Sequence, residues 1–205
     1  MPNRSEKIIF GVDEVGRGPL AGPVIACAIT GPAISNFKFL ISKQTKNPKF
    51  KDSKKLTAKQ RETIYNFLKE SPKVVWGIGK VSEKIIDKIN IFQATKLAMV
   101  KAVLTLEKKI GQQAAMLLID GNFRIDIERN QQSIIKGDET IFLISLASIV
   151  AKVERDNLMI KLHKKYPRYG FHQHKGYGTK YHIDALTKFG PCKIHRTSFK
   201  PINKI

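Results

Sequence analysis

The chain has 205 residues, of which 42% are apolar and 26% are charged. This length suits one domain with a buried core, so we expect a folded protein that needs no disulfides, and we exclude a wholly disordered chain. Lys and Arg total 37 against 17 Asp and Glu, which gives a formal net charge of +20. So basic a protein attracts polyanions, of which nucleic acid is the commonest, although a lysine-rich proteome would produce the same bias.

The sequence favours an intracellular location away from membranes. It contains no run of 18 or more apolar residues, so we expect no transmembrane helix, and its polar start does not resemble a signal peptide. Cys27 and Cys192 lie far apart and outside any metal-ligand pattern. We therefore expect free thiols in a reducing compartment, and hence a cytoplasmic protein.

In chain order, the apolar periodicity predicts alternating strands and helices. The predicted strands cover residues 8–12, 24–29, 73–81, 114–119 and 131–136. The predicted helices cover residues 57–69, 82–89, 92–110, 140–163 and 183–188. Thr57 is placed to cap the first helix, and residues 38–55 predict an exposed basic loop. This order predicts the α/β class, with a mixed sheet flanked by helices in a single domain over residues 1–205.

Acidic residues are scarce in this chain, and four of them stand where apolar elements begin or end. Asp13 and Glu14 follow the first strand, Asp120 ends the fourth, and Asp138 stands at the start of the long helix. A carboxylate beside an apolar core is costly unless it is paired or binds a cation. Each has an ordinary alternative, since Asp138 could cap a helix, Asp120 could form a turn, and the first two could pair with Arg17.

If these carboxylates converge, their mutual repulsion favours a hard divalent cation such as Mg²⁺ or Mn²⁺. Two such ions about 4 Å apart suit phosphodiester hydrolysis, so a basic surface around an acidic centre is a coherent nuclease design. A zinc site at His172, His174 and His182 is the rival, but it lacks the cysteine partners and spacing expected. Exposed or hydrogen-bonded histidines near a nucleic acid are the simpler interpretation.

Seven sequence blocks resemble the ribonuclease HII family. In chain order they are GVDEVGRGPLAGPV at 11–24, DSKKL at 52–56, IDGN at 119–122, KGD at 136–138, ASIVAKVERD at 147–156, HKGYGT at 174–179 and FGPCKIHR at 189–196. They run in the order of the family over almost the whole chain. A lone Gly-Arg-Gly turn would be weak evidence, whereas this ordered set is specific.

The resemblance implies an RNase H-like fold, with a mixed five-stranded sheet, flanking helices and a small C-terminal helical segment, about 166–205, that completes the substrate cleft. It implies that Asp13, Glu14, Asp120 and Asp138 are the metal-binding catalytic acids. Cleavage would fall on the 5′ side of ribonucleotides in RNA–DNA hybrids, and of single ribonucleotides in duplex DNA, leaving 3′-hydroxyl and 5′-phosphate ends. We expect a monomer; a sliding-clamp partner is compatible with the family but is not indicated by the sequence.

The resemblance also assigns contacts with the substrate. The residues concerned are Gly16, Arg17, Gly18, Ser53, Lys54, Ser148, Lys152 and Tyr177. Backbone groups of the Gly-Arg-Gly turn would lie against the ribose 2′-hydroxyl, the group that distinguishes RNA from DNA. The tyrosine would pack on the adjacent sugar, and the other four would contact phosphate. For Ser148 and Lys152, which share one helix face, helix packing and a Lys152–Asp156 pair are the alternative.

Two features depart from the family pattern. Residues 37–51 are longer and more basic than expected, which concerns duplex binding rather than chemistry, and Leu146 stands where a small residue is usual. Two other functions remain open. A basic protein that binds nucleic acid without cutting it would explain the charge but not the acids. A nuclease of the same fold with another substrate would leave the Gly-Arg-Gly turn and Tyr177 without a role.

Overall fold

The computed structural model describes residues 7–31 and 56–204. Ser53, Lys54 and the basic stretch 37–51 lie outside the described residues. The strands are β1 Ile9–Val15, β2 Val24–Thr30, β3 Val75–Val81, β4 Met116–Asp120 and β5 Gln131–Ile134. The α-helices are α1 Ala58–Glu70, α2 Glu83–Ile110, α3 Gly137–Thr140, α4 Phe142–Lys165, α5 Phe171–His174 and α6 Lys180–Phe189. Two 3₁₀ turns cover Pro167–Tyr169 and Ile202–Lys204.

The five strands form one mixed sheet in the order β3-β2-β1-β4-β5. β1 pairs antiparallel with β2 and parallel with β4, with Val12 opposite Ile119. Because β1 and β4 run in the same direction, their carboxyl ends meet at one edge of the sheet. This register brings Asp13 beside Asp120, and the predicted mixed five-stranded sheet of the α/β class is confirmed.

Helix α2 covers one face of the sheet, chiefly over β3 and β2. Two glycines on β3 allow the helix to approach closely. A Cβ added at Gly79 would lie 1.9 Å from the carbonyl oxygen of Ala98, and one at Gly77 would lie 2.3 Å from that of Ala102. An 18-residue window of α2 has a mean hydropathy of 1.3, enough by length and composition to cross a membrane, but residues such as Ala98 and Met99 are fully buried in the core beneath it.

Helix α4 covers the opposite face over β1 and β2, and α1 packs beside it. Their buried side chains form a second core with the residues of β2 that face these helices, such as Cys27 and Ile29. Leu146, the departure from the family pattern, is buried in this core. Thr57 caps α1 as predicted, because its hydroxyl accepts a hydrogen bond from the Gln60 amide while the Gln60 side chain accepts one from the Thr57 amide.

Two helices differ in detail from the elements predicted from the sequence. Helix α2 consists of two helical parts joined by a kink at Asn90, with φ 64° and ψ 166°, which lies between the predicted helices 82–89 and 92–110 and confirms the predicted break. The predicted start of the long helix at 140 was wrong, because Ile141 is extended and separates α3 from α4. Asp138 therefore lies inside the short helix α3 and does not cap α4.

The C-terminal segment packs on the turn that follows β1. Its apolar side chains form a third core with Leu20, Ala21 and Met159. Backbone hydrogen bonds join the two, since the Leu20 amide donates to Gly176 and the Arg196 amide donates to the Leu20 carbonyl. The segment thus supports one wall of a cavity at the carboxyl ends of β1 and β4.

Candidate active site

A cavity of about 460 Å³ opens at the carboxyl ends of β1 and β4. It is walled by the ends of β1 and β4, the Gly-Arg-Gly turn, α1, one face of α4, and the segment before α6. The lining residues are Asp13, Glu14, Val15, Gly16, Arg17, Gly18, Arg61, Asp120, Ser148, Lys152 and Tyr177. Nine of the twelve site residues predicted from the sequence are among them, Ser53 and Lys54 lie outside the described residues, and Asp138 is not on the cavity surface.

Strand register and local hydrogen bonds hold the carboxylates in place. Asp13 is 4% exposed, accepts a hydrogen bond from the Glu14 amide at 2.7 Å, and accepts another from the Ser148 side chain. Asp120 accepts a hydrogen bond from the Gly137 amide at 2.7 Å. This bond ties the end of β4 to α3, so that the buried Asp138 follows directly after a residue in contact with Asp120.

Burial and mutual repulsion govern the protonation of these acids. Burial, and then the charges of Glu14 and Asp120, hold the pKa of the Asp13 carboxyl well above its usual range. Burial also raises the pKa of Glu14, against the opposing effect of Arg17. The Glu14 Oε2 atom is buried and accepts no hydrogen bond from the described residues. The fold therefore buries several carboxyl groups close together without enough hydrogen-bond donors to satisfy their oxygens.

This donor set suits a hard divalent cation. Carboxylate oxygens are the ligands that Mg²⁺ and Mn²⁺ prefer, and a cation would relieve the repulsion that raises the pKa values of Asp13 and Glu14. Within residues 7–31 and 56–204, no three His, Cys, Asp or Glu side chains are already arranged as a metal cage. Asp13, Glu14 and Asp120 share one cavity but would have to close in around an ion.

Three cationic side chains line the same cavity. Arg17 Nη1 lies 3.5 Å from Glu14 Oε1, which is the pairing considered as an alternative from the sequence. Lys152 Nζ lies 2.9 Å from Asp156 Oδ1, so the helix pair that was the other interpretation of Lys152 is present while Lys152 still lines the cavity. Arg61, from α1, was not predicted from the sequence.

The Gly-Arg-Gly turn and Tyr177 are in close proximity. Gly16 has φ of +93°, a conformation that favours glycine. A Cβ added at Gly18 would lie 3.7 Å from Cε1 of Tyr177, so the ring stands directly beside the turn. Tyr177 remains 42% exposed, which leaves one side of its ring open to a ligand.

The histidines considered as a zinc site bind backbone groups instead. His174 Nε2 lies 2.7 Å from the Tyr169 carbonyl, and His182 Nδ1 lies 2.9 Å from the Tyr177 carbonyl. The His172 ring lies against that of His163, with 3.9 Å between centroids and the planes tilted by 37°. Burial lowers the pKa of His182 to about 4, so its imidazole is neutral at pH 7. These contacts give His174 and His182 a structural role.

Comparisons with known proteins identify the family of this chain. A family model described as Ribonuclease HII matches residues 10–202. A ribonuclease HII of Chlamydia muridarum is 48% identical over 196 residues, which is 96% of this chain and 83% of that protein.

Two solved structures share the fold. The RNase HII in the PCNA:RNase HII complex from Archaeoglobus fulgidus has a TM-score of 0.73 and 21% identity, over 94% of this chain and 95% of that one. Bst-RNase HIII in complex with Mn²⁺ has a TM-score of 0.68 and 16% identity, over 96% and 68%. The family match and the level of identity with the Chlamydia protein show that this chain belongs to the ribonuclease HII family, whose members are hydrolases with ribonuclease H activity.

Proposed function

We propose that this chain hydrolyses the phosphodiester on the 5′ side of ribonucleotides, both in RNA–DNA hybrids and where a single ribonucleotide is embedded in duplex DNA. The observation that carries the proposal is one cavity in which buried carboxylates face a Gly-Arg-Gly turn and an exposed tyrosine. Acids alone would suit any metal nuclease. The adjoining turn and ring supply a place for a ribose, and this favours a ribonucleotide-specific enzyme over a nuclease with another substrate.

Asp13, Glu14, Asp120 and Asp138 would hold the divalent cations, with Mg²⁺ and Mn²⁺ as the candidates. When bound, two such ions would supply an activated water and stabilise the leaving oxygen, giving 3′-hydroxyl and 5′-phosphate ends. The Mn²⁺ in the structure of Bst-RNase HIII supports the choice of metal. The high pKa of Asp13 implies that proton release accompanies metal binding, because only the carboxylate form is a ligand.

The other walls of the cavity would bind the nucleic acid. The backbone of residues 16–18 would approach the ribose 2′-hydroxyl, and the open side of the Tyr177 ring would pack on the neighbouring sugar. Lys152 and Arg61 would contact phosphate, as would Ser148, Ser53 and Lys54. Because the substrate carries phosphate charges on both strands, the net charge of +20 would draw the duplex to this face.

An Asp138→Asn variant tests the role of the acids. We expect it to lose cleavage while its affinity for the duplex stays equal or rises, because one negative charge is removed. Asp126→Asn is the matched control, since Asp126 pairs with Lys96 at 2.8 Å outside the cavity. Full activity of Asp138→Asn would refute the metal-centre proposal, and a wild type that binds the duplex without cutting it would favour the non-catalytic binder.

Protein partners and location are separate proposals. One solved neighbour is in complex with PCNA, so a sliding clamp is a candidate partner for this chain. Co-elution of the purified chain with a clamp in size-exclusion chromatography tests this, and the same column run with the chain alone tests the expected monomer. We also propose a cytoplasmic location, in keeping with the two free cysteines.

A further inference from the structure

Two arginines lie fully buried beneath the Gly-Arg-Gly turn. Arg155 on α4 and Arg196 in the C-terminal segment are each 0% exposed. A buried guanidinium is costly unless its N–H groups find acceptors. Both side chains donate to backbone carbonyl oxygens, and most of these belong to the turn between β1 and β2.

Arg196 makes the larger set of contacts with this turn. Its Nη1 donates to the Arg17 carbonyl at 2.8 Å, and its Nη2 donates to the carbonyls of Gly16 at 2.6 Å and Gly22 at 2.8 Å. Its Nε donates to the same Gly22 oxygen at 3.0 Å. The guanidinium also lies 5.0 Å from the centroid of the Phe199 ring. Because the guanidinium is a rigid planar fork, it fixes the direction of all three carbonyls together.

The direction of those carbonyls determines where the neighbouring N–H groups point. In a trans peptide the carbonyl and the following N–H lie on opposite sides of the chain. The single cis peptide among the described residues is Lys200–Pro201, so the peptides after Gly16 and Arg17 are trans. Since both carbonyls point inward at Arg196, the N–H groups of Arg17 and Gly18 point away from it, on the side where residues 16–18 line the cavity.

We infer that Arg196 is a positioning residue that aims the N–H groups of Arg17 and Gly18 at the ribose of the substrate. This rests on the proposed function, which places the 2′-hydroxyl at this turn. Arg196 does not touch the substrate itself. It selects for a ribonucleotide by fixing two backbone donors that a 2′-hydroxyl oxygen can accept from and a deoxyribose cannot.

Arg155 supports the same turn through a second set of carbonyls. Its Nη2 and Nε donate to the carbonyls of Ala21 and Pro23, both at 3.1 Å, and its Nη1 donates to the Lys175 carbonyl at 2.9 Å. Lys175 lies two residues before Tyr177, so one side chain connects the turn to the segment that carries the tyrosine. A Cβ added at Gly16 would lie 2.2 Å from Arg155 Nε, so the turn rests directly on this side chain.

A kinetic comparison tests the role of Arg196. Arg196→Lys keeps the charge but cannot reach three carbonyls with one planar fork, so the turn would lose its fixed orientation. We expect kcat on a duplex with one ribonucleotide to fall roughly tenfold to a hundredfold, with KM within about threefold of the wild type. Arg168→Lys is the matched control, because Arg168 is exposed and lies over the Phe189 ring, away from the turn. A folded Arg196→Lys with wild-type kcat overturns the inference.

A second measurement does not depend on the stability of a variant. In ¹⁵N-resolved NMR spectra of the wild type with a chelator present, a duplex with one ribonucleotide should shift the amide resonances of Arg17 and Gly18 more than the all-DNA duplex does. Equal shifts with the two duplexes overturn the inference. Failure of the proposed function would look different: the wild type would not nick the single-ribonucleotide duplex with metal present, and the amide comparison would still decide whether the two donors face the ribose.

Discussion

Acidification should destabilise this protein through a pair of buried histidines next to the site. His182 is 0% exposed and His195 is 2% exposed. The Cys192 amide donates to His195 Nδ1 at 2.8 Å, so that nitrogen carries no proton. The proton on His195 Nε2 is then donated to His182 Nε2 at 3.0 Å, and His182 Nδ1 donates to the Tyr177 carbonyl. Both rings are therefore neutral in the folded protein.

The size of the effect follows from the pKa values. Burial is the main cause that lowers the pKa of both His182 and His195 from 6.5 to about 4. As the pH falls below 6.5, the two imidazoles become protonated in the unfolded chain. In the folded chain they stay neutral until about pH 4. Stability is thus full above pH 6.5 and is lost between 6.5 and 4. The loss in the free energy of unfolding is about 3 kcal/mol for each imidazole, which is a large part of the stability of a typical domain.

Urea unfolding at a series of pH values from 7.5 to 4.5 measures this loss. The double variant His182→Gln/His195→Gln is the comparison, because it keeps polar side chains but cannot titrate. Asp13 and Glu14 titrate with the opposite sign, since their raised pKa values favour the folded state as the pH falls, and the difference between the two proteins removes their contribution. We expect the unfolding free energy of the wild type to fall by about 5 kcal/mol more than that of the variant over this range, because both imidazoles titrate. If the unfolding free energies of the two proteins changed equally with pH, the histidine pair would not be the cause of the loss.

Three further predictions concern the acids, the core and the surface. Asp13→Asn should abolish cleavage yet raise the melting temperature of the metal-free protein by roughly 2–4 °C, because it removes a buried carboxyl whose ionisation is opposed by burial and by Glu14 and Asp120, an effect of about 1 kcal/mol. Differential scanning calorimetry with a chelator checks this, and a lowered melting temperature would contradict it. Gly79→Ala should cost about 3 kcal/mol in urea unfolding, because its Cβ would collide with the Ala98 carbonyl of α2, and an unchanged midpoint would contradict that packing. Duplex affinity should fall steeply as salt rises in fluorescence anisotropy, and a flat response would remove the basic surface as the docking face.

The strand ends explain why the acids could be located from the sequence. An apolar run that stops at Asp13 or Asp120 marks a strand terminus, and parallel pairing of β1 with β4 then places the two termini side by side. The helix that carries Asp138 was harder to predict, because the extended residue Ile141 separates it from the long helix. Apolar periodicity does not reveal so local a break.

The supporting residues could not be predicted from local patterns. Arg155 and Arg196 bind carbonyls of the turn between β1 and β2 that lie 132 to 180 residues away along the chain, so only the folded structure brings them together. Arg61 reaches the cavity from α1, and its position depends on how that helix packs on α4. Both buried arginines fall within sequence blocks that resemble the family, which marks those blocks as important without saying what the arginines contact.

The acidic cavity and its Gly-Arg-Gly turn are proposed to cut beside a ribonucleotide. The most direct test is to incubate the protein with a DNA duplex that carries one ribonucleotide, with Mg²⁺ or Mn²⁺ and with a chelator as control, and to map the ends of the product. We predict a single metal-dependent nick on the 5′ side of the ribonucleotide, with a 3′-hydroxyl and a 5′-phosphate. Cleavage of a long RNA–DNA hybrid without this nick would contradict recognition of a single ribonucleotide, and no cleavage of either substrate would contradict the proposed nuclease activity.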